Sequence, residues 1–171
     1  METWDAITAR RNIRAFEDRP IPGADLDRIL EAGRRAPSAG NRQPCDFVVV
    51  TDRSQLQGLA EVWQGGRHIS GAAAVVAIVL ADEQDQHRRE VDRFDVGQAA
   101  LQMMVVAADL GIGSGHSSVG DQDLARRLLG LPDDRIVAFF VDFGYPADRP
   151  LKPIRTPDRR PFDEVVHRDR W

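Results

Sequence analysis

Apolar runs that alternate with segments of helical periodicity predict a mixed α/β domain. Three runs carry the strand reading: Phe47-Val-Val-Val50, Ala72 to Leu80 and Ile136 to Phe143. Residues 24–35, 53–63 and 91–110 repeat their apolar side chains at helical spacing instead. The length, 171 residues, suits one domain, since domains commonly run to roughly 100–200 residues. With 42% hydrophobic and 29% charged residues, the chain can bury a core.

The elements follow in order. Residues 3–12 place Trp4, Ala6 and Ile7 at helical spacing, with Thr3 as a candidate N-cap. Arg11 to Phe16 reads as extended, and Pro20 and Pro22 mark a turn. Leu26, Ile29 and Leu30 define the stripe of a helix that stops before Pro37, because the residue ahead of a proline resists helical geometry. Pro37 to Pro44 is a loop, followed by the first strand and a helix carrying Leu56, Leu59 and Trp63. After the Gly65-Gly66 break comes the second strand, and the polar residues 82–90 read as a short exposed connection. Phe94, Leu101, Met104, Val105 and Ala108 suit a long, mostly buried helix over 91–110, ended by Gly111 to Gly115. Gly113 to Gly120 reads as a loop of small residues. Asp121 is a candidate N-cap for a helix through Leu129, closed by Gly130 and Pro132. The tail from Pro146 is rich in Pro and Arg and needs a surface to lie against if it is to be ordered.

Acidic residues number 27 and basic residues 23, a formal charge of −4, which argues against a nucleic-acid coat or a polybasic membrane binder. Of the 23 basic residues all but Lys152 are arginine, the side chain that forks onto phosphates and carboxylates. Cys45 is the only cysteine, so neither an intrachain disulfide nor a multi-cysteine metal site can form. No apolar run reaches the ~20 residues of a membrane span, and the first residues do not read as a signal peptide. A cytoplasmic protein is the expectation.

Few residues suggest side-chain catalysis. His68, His87, His116 and His167 have no metal-ligand spacing. There is no Gly-x-Ser-x-Gly elbow, and Gly111-Ile-Gly113 follows a helix rather than a strand, unlike a dinucleotide fingerprint. Arg10, Arg11 and Arg14, with Asn12 among them, can instead converge on one anion, for which phosphate is the natural match. Arg155, Arg159 and Arg160 form a second basic group at the far end. In the loop Ala36 to Pro44, Ser, Asn and Gln stand together, side chains able to read the edge of a planar heterocycle. His116 sits among small residues that let a ligand approach the backbone.

Four blocks in this order resemble the nitroreductase family of FMN-dependent oxidoreductases, from about Trp4 to His167. They are Arg10-Arg-Asn-Ile-Arg-Ala-Phe16; Ala36-Pro-Ser-Ala-Gly-Asn-Arg-Gln-Pro44; Leu110-Gly-Ile-Gly113 leading to Asp121 and Leu128 to Pro132; and Gly144-Tyr-Pro146 with Arg159 to Val166. The resemblance implies one α+β sandwich domain over residues 1–171, with a central, mostly antiparallel sheet flanked by helices. It further implies an intertwined homodimer that exchanges C-terminal tails and holds FMN at the subunit interface. By resemblance, Arg10, Arg11 and Arg14 bind the FMN phosphate, with Asn12 in the same block, and Arg159 and Arg160 close on it. Pro37, Ser38, Ala39 and Asn41 would reach the flavin from the other subunit. Ser117, Ser118 and Val119 would lie by the ring, with backbone amides near Ser118 and Val119 addressing N5 or O4.

The chemistry so implied belongs to the flavin: NADPH or NADH gives hydride to N5, and a small-molecule acceptor, nitroaromatic or quinone-like, takes it in ping-pong fashion. No side chain is required as catalytic acid or base, and no metal. His116 stands where the family often has a bulkier residue and is a candidate substrate contact. The short polar segment 82–90 is unlike a lid. Other readings on the same residues are a flavin-storage protein, an enzyme that uses reduced flavin for fragmentation or dehalogenation, and a general anion-binding module.

Overall fold

A computed structural model describes residues 1–171. Four strands, β1 (Asp46–Val50), β2 (Ala74–Ala81), β3 (Gly113–Ser117) and β4 (Arg135–Gly144), form one sheet in the order β1-β2-β4-β3, antiparallel throughout. The six helices are α1 (Thr3–Ala9), α2 (Gly23–Arg34), α3 (Arg53–Ala60), α4 (Gln86–Asp109), α5 (Gln122–Leu129) and α6 (Phe162–Val165). The α+β sandwich with an antiparallel central sheet is therefore observed.

Strand alternation divides the core in two. On one face Val75, Ala77 and Val79 of β2 pack with Leu56 and Leu59 of α3 and Ala125 of α5. On the other, Val76, Ile78 and Leu80 pack with Ile29 of α2 and Val96, Met103 and Met104 of α4. Because β2 is covered on both sides, it reads as a continuous apolar run. Asp121 caps α5 by accepting from the Leu124 N–H at 2.8 Å, and Gly130 follows at φ 66°, the left-handed turn that glycine tolerates.

Several expectations need correction. The N-cap of α1 is Glu2, not Thr3, and the helix ends at Ala9, because Arg10 turns to extended geometry so that the following chain can pair with β3. The buried face of α1 is Ala6 and Ala9, while Trp4 and Ile7 are exposed. The connection after β2 is confined to residues 82–85: Asp85 accepts from the Arg88 N–H, and α4 starts at Gln86. Within α4, Phe94 and Leu101 are exposed, because only the face toward the sheet and α2 is covered. The supposed loop at Gly113 is an edge strand. Its Gly-Ser-Gly-His-Ser composition has little strand propensity, but small residues are needed there: a Cβ on Gly113 would stand 2.8 Å from the Ile13 side chain.

The tail is ordered by a return path. Ile154 donates its N–H to the Thr8 carbonyl at 3.1 Å, and the Arg11 guanidinium donates to the Lys152 carbonyl. No helix is long and apolar enough to cross a membrane.

Candidate functional site

The chain leaving α1 is stitched to β3. Asn12 bridges Ser114, the Ile13 N–H donates to the Ser114 carbonyl at 2.9 Å, and the Ile13 side chain is fully buried. This fixes where the arginines of the first block stand. Arg10 is half-buried, and its guanidinium donates to the Asn12 side chain, with Nη1 to Oδ1 at 3.5 Å. Its affinity for its proton is lowered, first by burial and then by the positive charge of Arg159. The tail thus brings Arg159 toward Arg10, and neither guanidinium has a carboxylate partner. A partly buried guanidinium without a counter-charge, under the field of a second cation, is chemically suited to an anion.

The other basic residues divide. Arg14 is exposed and unpaired. Arg11 is engaged with the Ala9 and Lys152 carbonyls. Arg160 reaches the Glu164 carboxylate at 3.5 Å and its carbonyl at 3.2 Å. Within one chain, the two ends meet through the Ile154–Thr8 and Arg11–Lys152 hydrogen bonds, and the charge of Arg159 reaches Arg10.

Arg10 also stands at the rim of a cleft of 690 Å³ between α4, β4 and the end of β3, whose wall includes Arg93, His116, Ser118, Val119 and Phe139. Most of its lining is apolar. His116 lies opposite Val141 in the β3–β4 pairing, with its ring 6.2 Å from that of Phe139. The Ser117 side chain is buried on the opposite face of the strand, and its hydroxyl donates to the Ser118 carbonyl at 3.2 Å. Beyond β3, the N–H groups of Gly120 and Asp121 both donate to the Val62 carbonyl. Those of Ser118 and Val119 have no partner within the chain. They are two backbone donors beside an apolar cleft, the arrangement that addresses a polar ring edge. Arg93 is a cleft residue that sequence reasoning missed, since a helical arginine carries no distinguishing pattern.

Pro37, Ser38, Ala39 and Asn41 lie elsewhere and do not line this cleft. Their loop contains a 3-10 turn (Ala39–Asn41) with Gly40 at φ 59° and Asn41 at φ 56°. It is tied to α4: the buried Asp95 carboxylate accepts from the Ala39 N–H at 3.1 Å, and Arg42 pairs with Asp92. Ser38 Oγ accepts from the Gln43 N–H at 2.9 Å. Pro37, Ala39 and Asn41 are left facing outward. Asp92 and Asp95 were also missed; two acids three residues apart on the buried side of α4 carry no distinguishing pattern in a helix with many other polar residues. Cys45, beside this loop, has its thiol pushed up to about 11, first by burial and then by Asp95, Asp92 and Asp46. It is a neutral thiol at physiological pH. No group of three potential metal ligands exists.

The model of the Nitroreductase family matches residues 7–66 and 61–145. A protein of Archaeoglobus fulgidus, provisionally named an NADH dehydrogenase/NAD(P)H nitroreductase, is 33% identical over 174 residues, 99% of either chain. Among solved structures, the NADPH:FMN oxidoreductase of Vibrio harveyi, complexed with NAD+, is 26% identical with a TM-score of 0.81, covering 97% of this chain and 76% of that one. A provisionally named nitroreductase of Desulfovibrio desulfuricans in complex with FMN is 28% identical with a TM-score of 0.80, covering 97% and 95%.

Proposed function

This chain belongs to the nitroreductase family, and from that premise we propose that it is an FMN-dependent NAD(P)H oxidoreductase. The observation that carries the reading is a cleft with complementary ends. At one end Arg10 lacks a counter-charge and feels the positive charge of Arg159 in the tail. On the wall the Ser118 and Val119 N–H groups lack acceptors. FMN has the matching parts: a phosphate for the guanidiniums, a polar ring edge for the amides and a flat apolar body for the lining between them. When bound, FMN supplies the hydride-accepting ring, which NADPH or NADH reduces and a nitroaromatic or quinone-like acceptor reoxidises in alternation.

This chain's own residues bind and orient. Arg10 and Arg159, with Arg14 able to swing in from solvent, hold the phosphate. The amides of Ser118 and Val119 face the ring's polar edge, where donors favour negative charge on the ring. His116 and Phe139 form the wall an acceptor would meet. FMN bound to the Desulfovibrio desulfuricans relative and NAD+ bound to the Vibrio harveyi relative support the two cofactors.

The working unit in this reading is a homodimer. Exposed Trp4, Ile7, Phe94 and Leu101 are apolar surface for a partner to cover, and the outward-facing Pro37, Ala39 and Asn41 would complete the partner's site. The deciding experiment is optical. FMN-loaded protein should be yellow, and NADPH or NADH should bleach it in the absence of oxygen. Protein that cannot be loaded with FMN would end the reading. Yellow protein that neither nicotinamide bleaches would be a flavin carrier.

A further inference from the structure

The most deeply buried acidic side chain lies outside the cleft. Asp142, in β4, has a side chain 0% exposed. Its register partners are Val75 on β2 and Gly115 on β3. His116 pairs with the neighbouring Val141, so Asp142 occupies the sheet face opposite the one His116 presents. The one polar side chain that meets it is His68, from the 3-10 turn Arg67–Gly71, itself 5% exposed. His68 Nε2 is 3.2 Å from Asp142 Oδ1, close but poorly aligned for a hydrogen bond, and neither carboxylate oxygen has another donor. An imidazole with its proton on Nε2 complements this carboxylate whether it is neutral or charged.

A buried pair of this kind contributes little net stability, because an apolar pair of similar volume packs as well or better. Its best-attested use is to specify register, and β3 is a strand in need of that. Gly-Ser-Gly-His-Ser offers no apolar alternation to set pairing, and a slip of one residue would reverse every side chain. The carboxylate fits opposite Gly115 because that position lacks a Cβ. A Cβ there would stand 2.6 Å from Asp142 Oδ2 and 2.8 Å from the Ile13 carbonyl oxygen. Slipped by one, β3 would set Ser114 or His116 against the carboxylate. The turn that carries His68 packs on the same strand, since a Cβ on Gly66 would lie 3.4 Å from Ser117 Oγ.

We infer that His68 and Asp142 are positioning residues that lock the register of β3 and so hold both ends of the cleft at a fixed separation. Ser114 anchors the arginine segment through Ile13, and Ser117 leads into the unpaired amides of Ser118 and Val119. The lock stands on the geometry of this chain; its effect on flavin rests on the FMN reading given above.

The test is amide hydrogen exchange on the full-length protein, with and without FMN, for Asp142→Asn and His68→Gln. Protection should fall at least tenfold in the β3 amides of residues 113–117 and at Ile13 while β1 and β2 keep theirs, and FMN affinity should fall about tenfold or more. Unchanged protection in β3, or an even loss across all four strands, would overturn the lock whatever happens to the melting temperature. If Asp142→Asn does not fold, His68→Gln decides by the same exchange map. A double Leu variant at the two positions separates register from packing. Recovered melting temperature with FMN affinity still lost supports the lock, and recovery of both refutes it. Failure of the wild-type protein to bind FMN would sink the cofactor reading alone, because the exchange map without FMN is read independently.

Discussion

Arg10 and Arg34 carry the same side chain in opposite circumstances. At the C-terminal end of α2, Arg34 Nε lies 2.7 Å from Glu31 and Arg35 Nε lies 2.6 Å from it, both open to solvent. The two guanidiniums share one carboxylate, and the cluster gains the usual modest benefit of surface charges three and four residues apart. Arg10 is half-buried, has no carboxylate and lies within the field of a second cation, Arg159. Arginine abundance is thus not the signal. A cation that folding has partly desolvated and left without a partner marks a site for an external anion; a cation satisfied by its own helix does not.

The largest effect that could break this contrast is removal of residues 150–171. The truncation takes away Arg159 and the strand of tail that returns along α1 through Ile154 and Lys152. Flavin retention and dimerisation should both be damaged, as read by FMN absorbance and light scattering. A dimeric truncation with full FMN occupancy would mean that Arg159 is no part of the site.

Next in size is Arg10→Ala. Loss of a charge-assisted contact is worth roughly 1.5–3 kcal/mol, or about 10- to 150-fold in FMN affinity. Titration of flavin-free protein measures it, and the melting temperature without flavin should be unchanged or higher, because an unpaired, partly buried charge is gone. Arg14→Ala should weaken FMN binding in the same direction, with the upper bound set by the same contact energy. Unchanged affinity would show that Arg14 stays in solvent as it stands here.

How much of this could be read from the chain depends on where the determinants lie. β1, β2 and β4 were legible because burial on both faces imposes apolar runs, and α5 because Asp121 and Gly130 mark its ends locally. β3 was not. Its strand character comes from Ile13 and Asp142, far away in sequence, filling the room its glycines leave. The start of α4 was hidden because Gln86 to Glu90 is a solvent-exposed first turn with no apolar stripe. In the site, the arginine block was legible as chemistry, but which arginines converge is a tertiary fact. Arg11 and Arg160 look equivalent to Arg10 and Arg159 in sequence and are engaged elsewhere. His68 could be read only as an isolated histidine, since nothing local connects it to Asp142.

The smallest effect tests the other side of the contrast. Glu31 has its carboxyl held down to about 2, chiefly by hydrogen bonds from Arg34 and then Arg35, with their charges adding less. A folded-state value below the unfolded one means that the pair's contribution is present above the ordinary carboxylate range, near 4.5, and is lost as pH falls from there toward 2. Because the group is open to solvent, screening reduces that contribution, so Glu31→Gln should leave the melting temperature at pH 7 within measurement error and FMN affinity untouched. An NMR titration should find the Glu31 midpoint near 2 at low salt and closer to the ordinary value at high salt. If Glu31→Gln instead weakens FMN binding as Arg10→Ala does, partner satisfaction does not separate structural from ligand-binding arginines in this protein, and the surface of α2 must be counted as part of the site.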